Sequence, residues 1–313
     1  MIEVLAPGPL TTVQDGGRTG WLSLGVPTAG PADWLSHTVA NRLVGNPDGA
    51  AALELTLSGP RLRFTSPALV AVVGAAATVD GAALPAGSAY RVPAGGTLLV
   101  GRAAPGVRGY LAVAGGVDVP AVLGSRSTDT LAGLGPPRLA AGDVLDVPDL
   151  DRAPRTVAQG GSPATDPVSR WLGGSSTGAL RVVAGPHEDW FTPDAVRRLC
   201  GSAYAVTPVS DRVGIRLAGP GLERARAGEL PVTGMVSGAL QVPPDGQPIL
   251  LLANHGPTGG YPVVAVVATV DLPYAGQARP GQELRFGAVS RDDAVAAYAD
   301  LRGVLDAALP PAG

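Results

Sequence analysis

Four short stretches of the chain set polar side chains among glycines. They are TTVQDGGRTG, LGSRSTDTL, PVSDRVG and LLANHGPTGGYP. Glycine has no Cβ, so the main chain of such a loop can lie directly against a ligand. An arginine there can hold a carboxylate or phosphate with its planar fork, and an aspartate can orient that ligand or take a proton. We therefore expect a ligand site to be built from these loops.

The first and third loops carry the residues best suited to chemistry. We predict Asp15, Arg18, Asp211 and Arg212 as catalytic residues. The alternative interpretation is that Asp15 pairs with Arg18, and Asp211 with Arg212, as local ion pairs worth less than about 1 kcal/mol. The residues predicted to bind the ligand are Gln14, Arg126, Ser127, Asp129, Thr258, Gly259, Gly260 and Tyr261.

The histidines and the single cysteine add little to this set. His37, His187 and His255 have no second histidine or cysteine at ligand spacing, so no metal site is expected. We expect His37 to face solvent from the middle of a helix. His255, beside GPTGGY, is the one histidine with a candidate role. Cys200 is expected in the last turn of a short helix, where the helix dipole disfavours a thiolate.

The basic residues exclude several classes of enzyme. All 23 of them are arginine, because the chain contains no lysine. A Walker-type phosphate loop, a Schiff-base lysine and a lysine that carries covalent biotin are therefore excluded. A net charge of −3 and 4% aromatic residues argue against a nucleic-acid surface. With no run as long as the roughly 20 apolar residues of a membrane span and no signal-peptide pattern, we expect a cytoplasmic protein without membrane contact.

The spacing of glycine and proline is typical of a β protein. The chain has Gly 45 and Pro 31 among its 313 residues, and they separate short segments. In LELTLSGPRLRF, Leu53, Leu55 and Leu57 alternate with polar residues, which predicts a strand with one buried face. ALVAVVG and VVAVVATV have the composition of strands buried on both faces. Helices are expected over residues 31–44, 192–201 and 291–309.

The two halves of the chain share the order of several motifs. An alternating strand ends in LSGP at Leu57 in the first half and in LAGP at Leu217 in the second. A length of 313 residues suits two domains of about 150 residues each. We predict a mainly β fold with two tandem domains, residues 1–165 and 166–313, and a few short helices. A stretch rich in Gly, Ser, Thr and Pro, residues 150–178, is the predicted linker.

The motifs together resemble a known family, which is called the C-type subunit of 5-oxoprolinase, allophanate hydrolase subunit 2, kinase-inhibitor antagonist or biotin-dependent carboxyltransferase family. The segments that carry the resemblance span nearly the whole chain. It implies that the two domains are cyclophilin-like β-barrels. The matching segments are PGPLTTVQDGGRTGWLSLGVPTAGPADWLSHTVANRLVGNPDGAAALE, YLAVAGGVDVPAVLGSRSTDTLAGLG, PHEDWF, TPVSDRVGIRLAGP, GALQVPPDGQPILLLANHGPTGGYP and PGQELRF.

The resemblance implies a subunit of an ATP-dependent 5-oxoprolinase, which opens 5-oxoproline to glutamate. Its partners would be a B-type 5-oxoprolinase subunit, also described as an allophanate hydrolase subunit 1-type protein, and a lactam-utilisation subunit. The chain would be inactive alone. ATP would be a co-substrate of the complex without a Walker motif in this chain. Arginines 18, 126 and 212 would stabilise a phosphorylated amide, and one of the aspartates 15, 129 and 211 would direct water.

Two further functions are compatible with the resemblance. The chain could be the carboxyltransferase component of a biotin-dependent urea or amide carboxylase, receiving carboxybiotin from another protein. It could also be a non-catalytic, regulatory partner of a kinase-inhibitor protein. Amidase-type allophanate hydrolysis, which uses a Ser-Ser-Lys system, is excluded because the chain has no lysine.

Overall fold

The computed structural model describes residues 1–85, 87–148, 178–228 and 230–311. These residues form two compact units. Unit 1 contains the described residues of 1–19, 29–148 and 304–311, and unit 2 contains the rest. The predicted domain boundary after residue 165, and the predicted linker up to residue 177, lie outside the described part of the chain. That boundary therefore stays a prediction.

Unit 1 is built from two antiparallel sheets and one helix, α1 (Trp34–Leu43). The strands are β1 (Ile2–Ala6), β2 (Leu10–Gln14), β3 (Ala52–Thr56), β4 (Arg61–Phe64), β5 (Ala68–Val73), β6 (Ala75–Val79), β7 (Ala82–Ala83), β8 (Ala89–Val92), β9 (Thr97–Ala103), β10 (Arg108–Val113) and β11 (Val144–Leu145). One sheet has the order β11-β1-β4-β9-β6-β7 and the other the order β2-β3-β10-β5-β8.

One hydrophobic core lies between the two sheets of unit 1. Ile2 and Leu62 enter it from the first sheet, and Leu55 and Leu111 enter it from the second. Alternate residues of β3 and β10 point to the opposite face, where α1 packs. The centre of the second sheet is therefore covered on both faces, which is why every residue of β10 is buried.

A polar network fills the space between α1 and the second sheet. Tyr110 donates its hydroxyl proton to Glu54 Oε2 at 2.7 Å and accepts from the backbone N–H of Asp33 at 2.9 Å. Glu54 Oε2 also accepts from the N–H of Ala32 at 2.9 Å, and Arg108 Nε lies 3.5 Å from Glu54 Oε1. Burial raises the pKa of Tyr110 well above its usual value, so the hydroxyl stays a donor. The network fixes the start of α1 against the sheet.

The end of α1 is held by a buried arginine. Arg42 donates from Nε and Nη2 to the two carboxylate oxygens of Asp48, at 2.6 and 2.8 Å. Its Nη1 reaches Asp306 Oδ1 at 2.7 Å and the carbonyl of Leu309 at 2.6 Å. The guanidinium of Arg42 therefore joins the end of α1 to the C-terminal residues of unit 1.

Unit 2 is a single eight-stranded sheet with a small two-stranded sheet beside it. Its strands are β12 (Leu180–Ala184), β13 (Tyr204–Val206), β14 (Gly214–Ala218), β15 (Thr233–Gly234), β16 (Ala239–Gln241), β17 (Ile249–Leu251), β18 (Thr258–Gly259), β19 (Val263–Val267), β20 (Glu283–Leu284) and β21 (Phe286–Ala288). The large sheet has the order β20-β13-β14-β17-β16-β19-β12-β21, and β15 pairs with β18.

The large sheet of unit 2 is nearly closed into a barrel. Its two edge strands, β20 and β21, are separated in the chain only by Arg285. Residues such as Leu180, Leu240 and Phe286 fill the interior. The helices of the second half are α2 (Ala195–Gly201), α3 (Leu272–Gly276) and α4 (Arg291–Ala308), and residues 304–308 of α4 belong to unit 1. None of the helices in the described ranges is long and apolar enough to span a membrane.

These observations confirm the prediction of a mainly β fold with few helices, and the described residues divide into two β units. The predicted helix over 31–44 begins later than expected, because Asp33 caps α1 by accepting from the N–H of Ser36 at 2.9 Å. The alternation predicted through Leu57 stops earlier, since Leu57 has a φ of 68° and is 48% exposed. The prediction that this strand has a single buried face was wrong, because α1 packs over the other face, where Glu54 is buried.

We predict that Tyr110→Phe lowers the free energy of unfolding by about 2–3 kcal/mol. The change removes the hydroxyl donor from a buried carboxylate, which keeps the N–H of Ala32 and Arg108, and takes away the hydroxyl that accepts from the N–H of Asp33. Tyr90→Phe is the matched control, because the Tyr90 hydroxyl has no hydrogen-bond partner within the described ranges. It should change stability by less than about 0.5 kcal/mol. Urea denaturation of both variants measures this, and equal losses would contradict the role of the network.

Candidate functional site

Two of the predicted loops meet in unit 1 through the carboxylate of Asp15. Asp15 Oδ1 accepts from the hydroxyls of Ser125 and Ser127, each at 2.6 Å, and from the N–H of Gly17 at 3.0 Å. Asp15 Oδ2 accepts from the N–H of Arg126. The N–H of Asp15 in turn donates to Ser127 Oγ at 3.0 Å. The carboxylate therefore joins two loops that lie more than a hundred residues apart.

These contacts determine the protonation of Asp15. Burial alone would raise its pKa, but the hydrogen bonds from Ser125, Ser127 and the backbone outweigh burial and lower the pKa below 3.8. Asp15 is therefore ionised at neutral pH and satisfied by donors from the protein. Its predicted part in catalysis stays a prediction, and its contacts give it a second role in joining the loops.

Arg18 is wholly buried beside the same junction. Its Nε donates to the carbonyl of Val122 at 2.8 Å, and its Nη2 donates to the carbonyl of Ser127 at 3.0 Å. Its Nη1 has no hydrogen-bond partner within residues 1–85, 87–148, 178–228 and 230–311. Among the described residues no carboxylate forms an ion pair with it, so the alternative of a local Asp15–Arg18 pair is wrong. The guanidinium is held by main-chain carbonyls instead.

Gln14 ends strand β2 and is buried next to this junction. Its Nε2 donates to Thr12 Oγ1 at 3.0 Å and to the carbonyl of Thr128 at 3.1 Å. The backbone carbonyl of Gln14 contacts Nε2 of His37 at 3.1 Å. The expectation that His37 faces solvent was wrong, because α1 turns this side chain onto β2, and burial lowers its pKa. Neutral His37 therefore supports the strand that leads into the loop.

The other predicted residues of the LGSRSTDTL loop have separate surroundings. Arg126 points outward and binds Asp118 Oδ1 from Nη2 at 2.8 Å and the carbonyl of Val119 from Nε at 2.8 Å. Asp129 is buried, and its Oδ1 accepts from the N–H groups of Leu131 and Ala132, both at 2.9 Å. Asp129 thus stabilises the turn after Thr128, and ligand binding by either residue stays a prediction.

Unit 2 contains the remaining predicted residues. Asp211 is exposed, and its Oδ1 accepts from the N–H groups of Val213 at 2.7 Å and Gly214 at 3.2 Å. Arg212 is buried, and its Nη2 donates to Asn254 Oδ1 at 3.0 Å. An Asp211–Arg212 ion pair is absent from the contacts of the described residues. Arg212 is instead paired with an amide that follows strand β17.

The residues predicted from GPTGGYP lie in and directly after a strand of the small sheet. Thr258 and Gly259 are strand β18, which pairs with β15. Gly260 follows it, and Tyr261 is 36% exposed with the guanidinium carbon of Arg224 6.0 Å from its ring centre. Ligand binding by these four residues stays a prediction.

Sequence reasoning missed several buried polar groups. Asn254 accepts from Arg212, and its N–H donates to the carbonyl of Arg212 at 3.0 Å. It lies three residues after strand β17, whose Leu250 and Leu251 are buried, and this position is the signal that identifies it. His255, next to it, is buried with its Nδ1 2.7 Å from the carbonyl of Gly256, and burial lowers its pKa. Because a carbonyl only accepts, Nδ1 carries the proton. Glu54 and Tyr110 were missed because nothing in their own strands shows that α1 covers them.

The sequence pattern described as "Carboxyltransferase domain, subdomain A and B" matches residues 24–288. The chain belongs to this family. The matched range includes the predicted residues of three loops, whereas Gln14, Asp15 and Arg18 precede it. The family assignment and the order of motifs agree with the resemblance drawn from the sequence.

Three relatives differ in how much of their own length matches this chain. The C-type 5-oxoprolinase subunit of Escherichia coli is 36% identical over 302 residues, which are 96% of this chain and 95% of that protein. Urea amidolyase of Saccharomyces cerevisiae is 34% identical over 311 residues, but these cover only 16% of it. The crystal structure of the urea amidolyase of Kluyveromyces lactis has a TM-score of 0.90 at 32% identity, covering 98% of this chain and 20% of that one.

We predict that Asp15→Asn lowers the free energy of unfolding by about 1–3 kcal/mol at neutral pH, because the amide nitrogen faces hydrogen-bond donors. The folded pKa is lowered, so the contribution is complete above pH 3.8 and is lost as the pH falls through the folded pKa. The difference between wild type and variant should therefore shrink in acid. Asp118→Asn, which removes an exposed partner of Arg126, should show neither effect. A difference that does not change with pH would contradict the ionised state of Asp15.

We predict that Gly135→Ala destabilises the loop junction far more than Gly133→Ala. Both glycines have positive φ, 78° and 67°, so both variants carry the same backbone strain of about 1 kcal/mol. A Cβ at Gly135 would lie 2.1 Å from the carbonyl oxygen of Ser127 and 3.3 Å from Arg18 Nη2, whereas one at Gly133 meets nothing within 4 Å. Gly135→Ala should cost about 3 kcal/mol or more by chemical denaturation. Equal costs would show that the Ser127 carbonyl can move freely.

Proposed function

We propose that this chain is a subunit of an ATP-dependent 5-oxoprolinase. The observation that carries the proposal is its correspondence to the C-type 5-oxoprolinase subunit over 95% of that protein's length, against 16% of a urea amidolyase. The partners would be a B-type 5-oxoprolinase subunit, or allophanate hydrolase subunit 1-type protein, and a lactam-utilisation subunit. The overall reaction breaks the lactam C–N bond of 5-oxoproline with water and gives glutamate.

The chemistry of this chain would come from arginine and aspartate. Opening a lactam with ATP requires cationic donors for the phosphate that activates the amide and a carboxylate that directs water. Buried Arg212, held by Asn254 Oδ1, and Arg18, held by main-chain carbonyls, are oriented before a ligand arrives. Because the chain has no lysine for a Walker motif, the nucleotide would depend on the assembly. We therefore propose that the isolated chain is inactive.

A second candidate function is the carboxyltransferase component of a biotin-dependent urea or amide carboxylase. The family description and the TM-score of 0.90 to a urea amidolyase favour it. The chain covers only about a fifth of that protein, so the remaining reactions would belong to other polypeptides. This function would need carboxybiotin delivered by a separate carrier.

We expect glutamate release from 5-oxoproline and ATP by the chain purified together with its companion subunits. Omitting this chain, or the companions, should abolish release. A parallel assay with urea, bicarbonate, ATP and a biotinylated carrier tests the second function. Carboxylation of urea without glutamate release would replace the first proposal by the second, and lactam opening by the chain alone would contradict its dependence on partners.

Within the same assay, Arg212→Lys should lower kcat/KM by about 10²-fold, because lysine lacks the planar fork that binds Asn254 and an oxyanion together. Arg216→Lys is the matched control, since Arg216 is an exposed residue of strand β14. It should stay within about twofold of wild type. Thermal unfolding of both variants separates a loss of activity from a loss of structure. Unchanged activity in Arg212→Lys would remove this residue from the site.

A further inference from the structure

Three buried polar atoms of unit 1 lie around the same two-residue segment and have no hydrogen-bond partner in the part of the chain that the structure describes. They are Arg18 Nη1, Gln14 Oε1 and Thr128 Oγ1. Arg18 donates from Nη2 to the carbonyl of Ser127, and Gln14 donates from Nε2 to the carbonyl of Thr128. Arg18 and Gln14 are 0% exposed and Thr128 is 3% exposed. Leaving one such atom unpaired costs about 1–3 kcal/mol, and the cost is larger for a charged group.

The charge of the guanidinium makes this arrangement unusual. A buried cation is normally paired with an anion, because removing it from water without compensation is expensive. Arg18 has two carbonyl acceptors and no carboxylate among its contacts within the described ranges. A bound anion at Nη1 would supply the missing charge.

The orientation of the Gln14 amide is fixed by its neighbours. The carbonyl of Thr128 can only accept, so the amide nitrogen of Gln14 must face it, and Oε1 is left as an acceptor. A ligand that reaches all three atoms must therefore accept from arginine and donate to an amide oxygen. The hydroxyl of Thr128 can do either.

We propose that Arg18 Nη1, Gln14 Oε1 and Thr128 Oγ1 form a subsite for a small monoanion that carries its own N–H or O–H donor. Bicarbonate can accept from arginine through its unprotonated oxygen atoms and donate through its hydroxyl. The carboxylate and adjacent lactam N–H of 5-oxoproline can do the same, and that source rests on the proposed function. A single guanidinium balances one negative charge, so inorganic phosphate, partly dianionic at neutral pH, fits less well.

The subsite makes a specific prediction about Thr128→Val. Valine has nearly the shape of threonine and removes only a hydroxyl that has no hydrogen-bond partner among the described residues. Without ligand, the midpoint of thermal unfolding should therefore stay the same or rise. With ligand, loss of one hydrogen bond should weaken binding about tenfold. A lower midpoint without ligand would show that the hydroxyl has a structural partner and would overturn the proposal.

Binding is measured by calorimetry on the full chain with bicarbonate, 5-oxoproline and inorganic phosphate as separate probes. We expect millimolar or tighter binding of bicarbonate or 5-oxoproline, about tenfold weaker in Thr128→Val and absent in Arg18→Gln. Arg63→Gln, at an exposed arginine of the same unit, should bind like wild type. No binding of either probe by wild type, or equal binding by wild type and Thr128→Val, would overturn the subsite.

The outcome is separable from that of the proposed function. Binding of bicarbonate alone, weakened by Thr128→Val, would support the subsite even if the assembly does not open 5-oxoproline. Conversely, an assembly that opens 5-oxoproline with the same kcat and KM in Thr128→Val, while the chain binds neither probe, would support the proposed function and eliminate the subsite.

Discussion

The junction of the two polar loops in unit 1 depends on a guanidinium buried without a carboxylate. Arg18 can remain there only because the carbonyls of Val122 and Ser127 point at it. Ser127 belongs to the second loop, and Val122 directly precedes that loop. The conformation of the second loop is fixed in turn by the carboxylate of Asp15, which binds the hydroxyls of Ser125 and Ser127. The two loops therefore determine each other's shape. Gly135 is part of the same constraint, because a side chain there would displace the Ser127 carbonyl.

The layer beneath the junction supports it through a second set of buried contacts. The network of Glu54 and Tyr110 fixes the start of α1 on the second sheet. Helix α1 then places His37 against the carbonyl of Gln14, at the end of β2. Gln14 is the residue whose amide holds the carbonyl of Thr128. A disturbance at the start of α1 can thus reach the loops through packed, hydrogen-bonded groups, without any direct contact with them.

The sequence predicted which loops matter better than it predicted what surrounds them. Polar residues among glycines identified TTVQDGGRTG and LGSRSTDTL, and the structure brings these loops together around Asp15. Local patterns could not show that α1 lies over β3, so this strand was expected to have one buried face and His37 was expected to face solvent. Burial of Glu54 and His37 depends on a helix and a sheet meeting in three dimensions, and neither segment encodes the other. The ion-pair interpretation of Arg18 failed for the same reason, because its acceptors lie about a hundred residues away.

The use of arginine at this junction has a physical consequence. A lysine buried in such a site would readily lose its proton, whereas a guanidinium stays charged at any pH where the protein is folded. The charge states of its two titratable neighbours are also constant near neutral pH, since hydrogen bonds lower the pKa of Asp15 and burial lowers the pKa of His37. The junction therefore presents one positive charge, one negative charge and one neutral imidazole over a wide range of pH. Such a fixed arrangement can orient an anion without first exchanging a proton with solvent, which is what a preorganised electrostatic site requires.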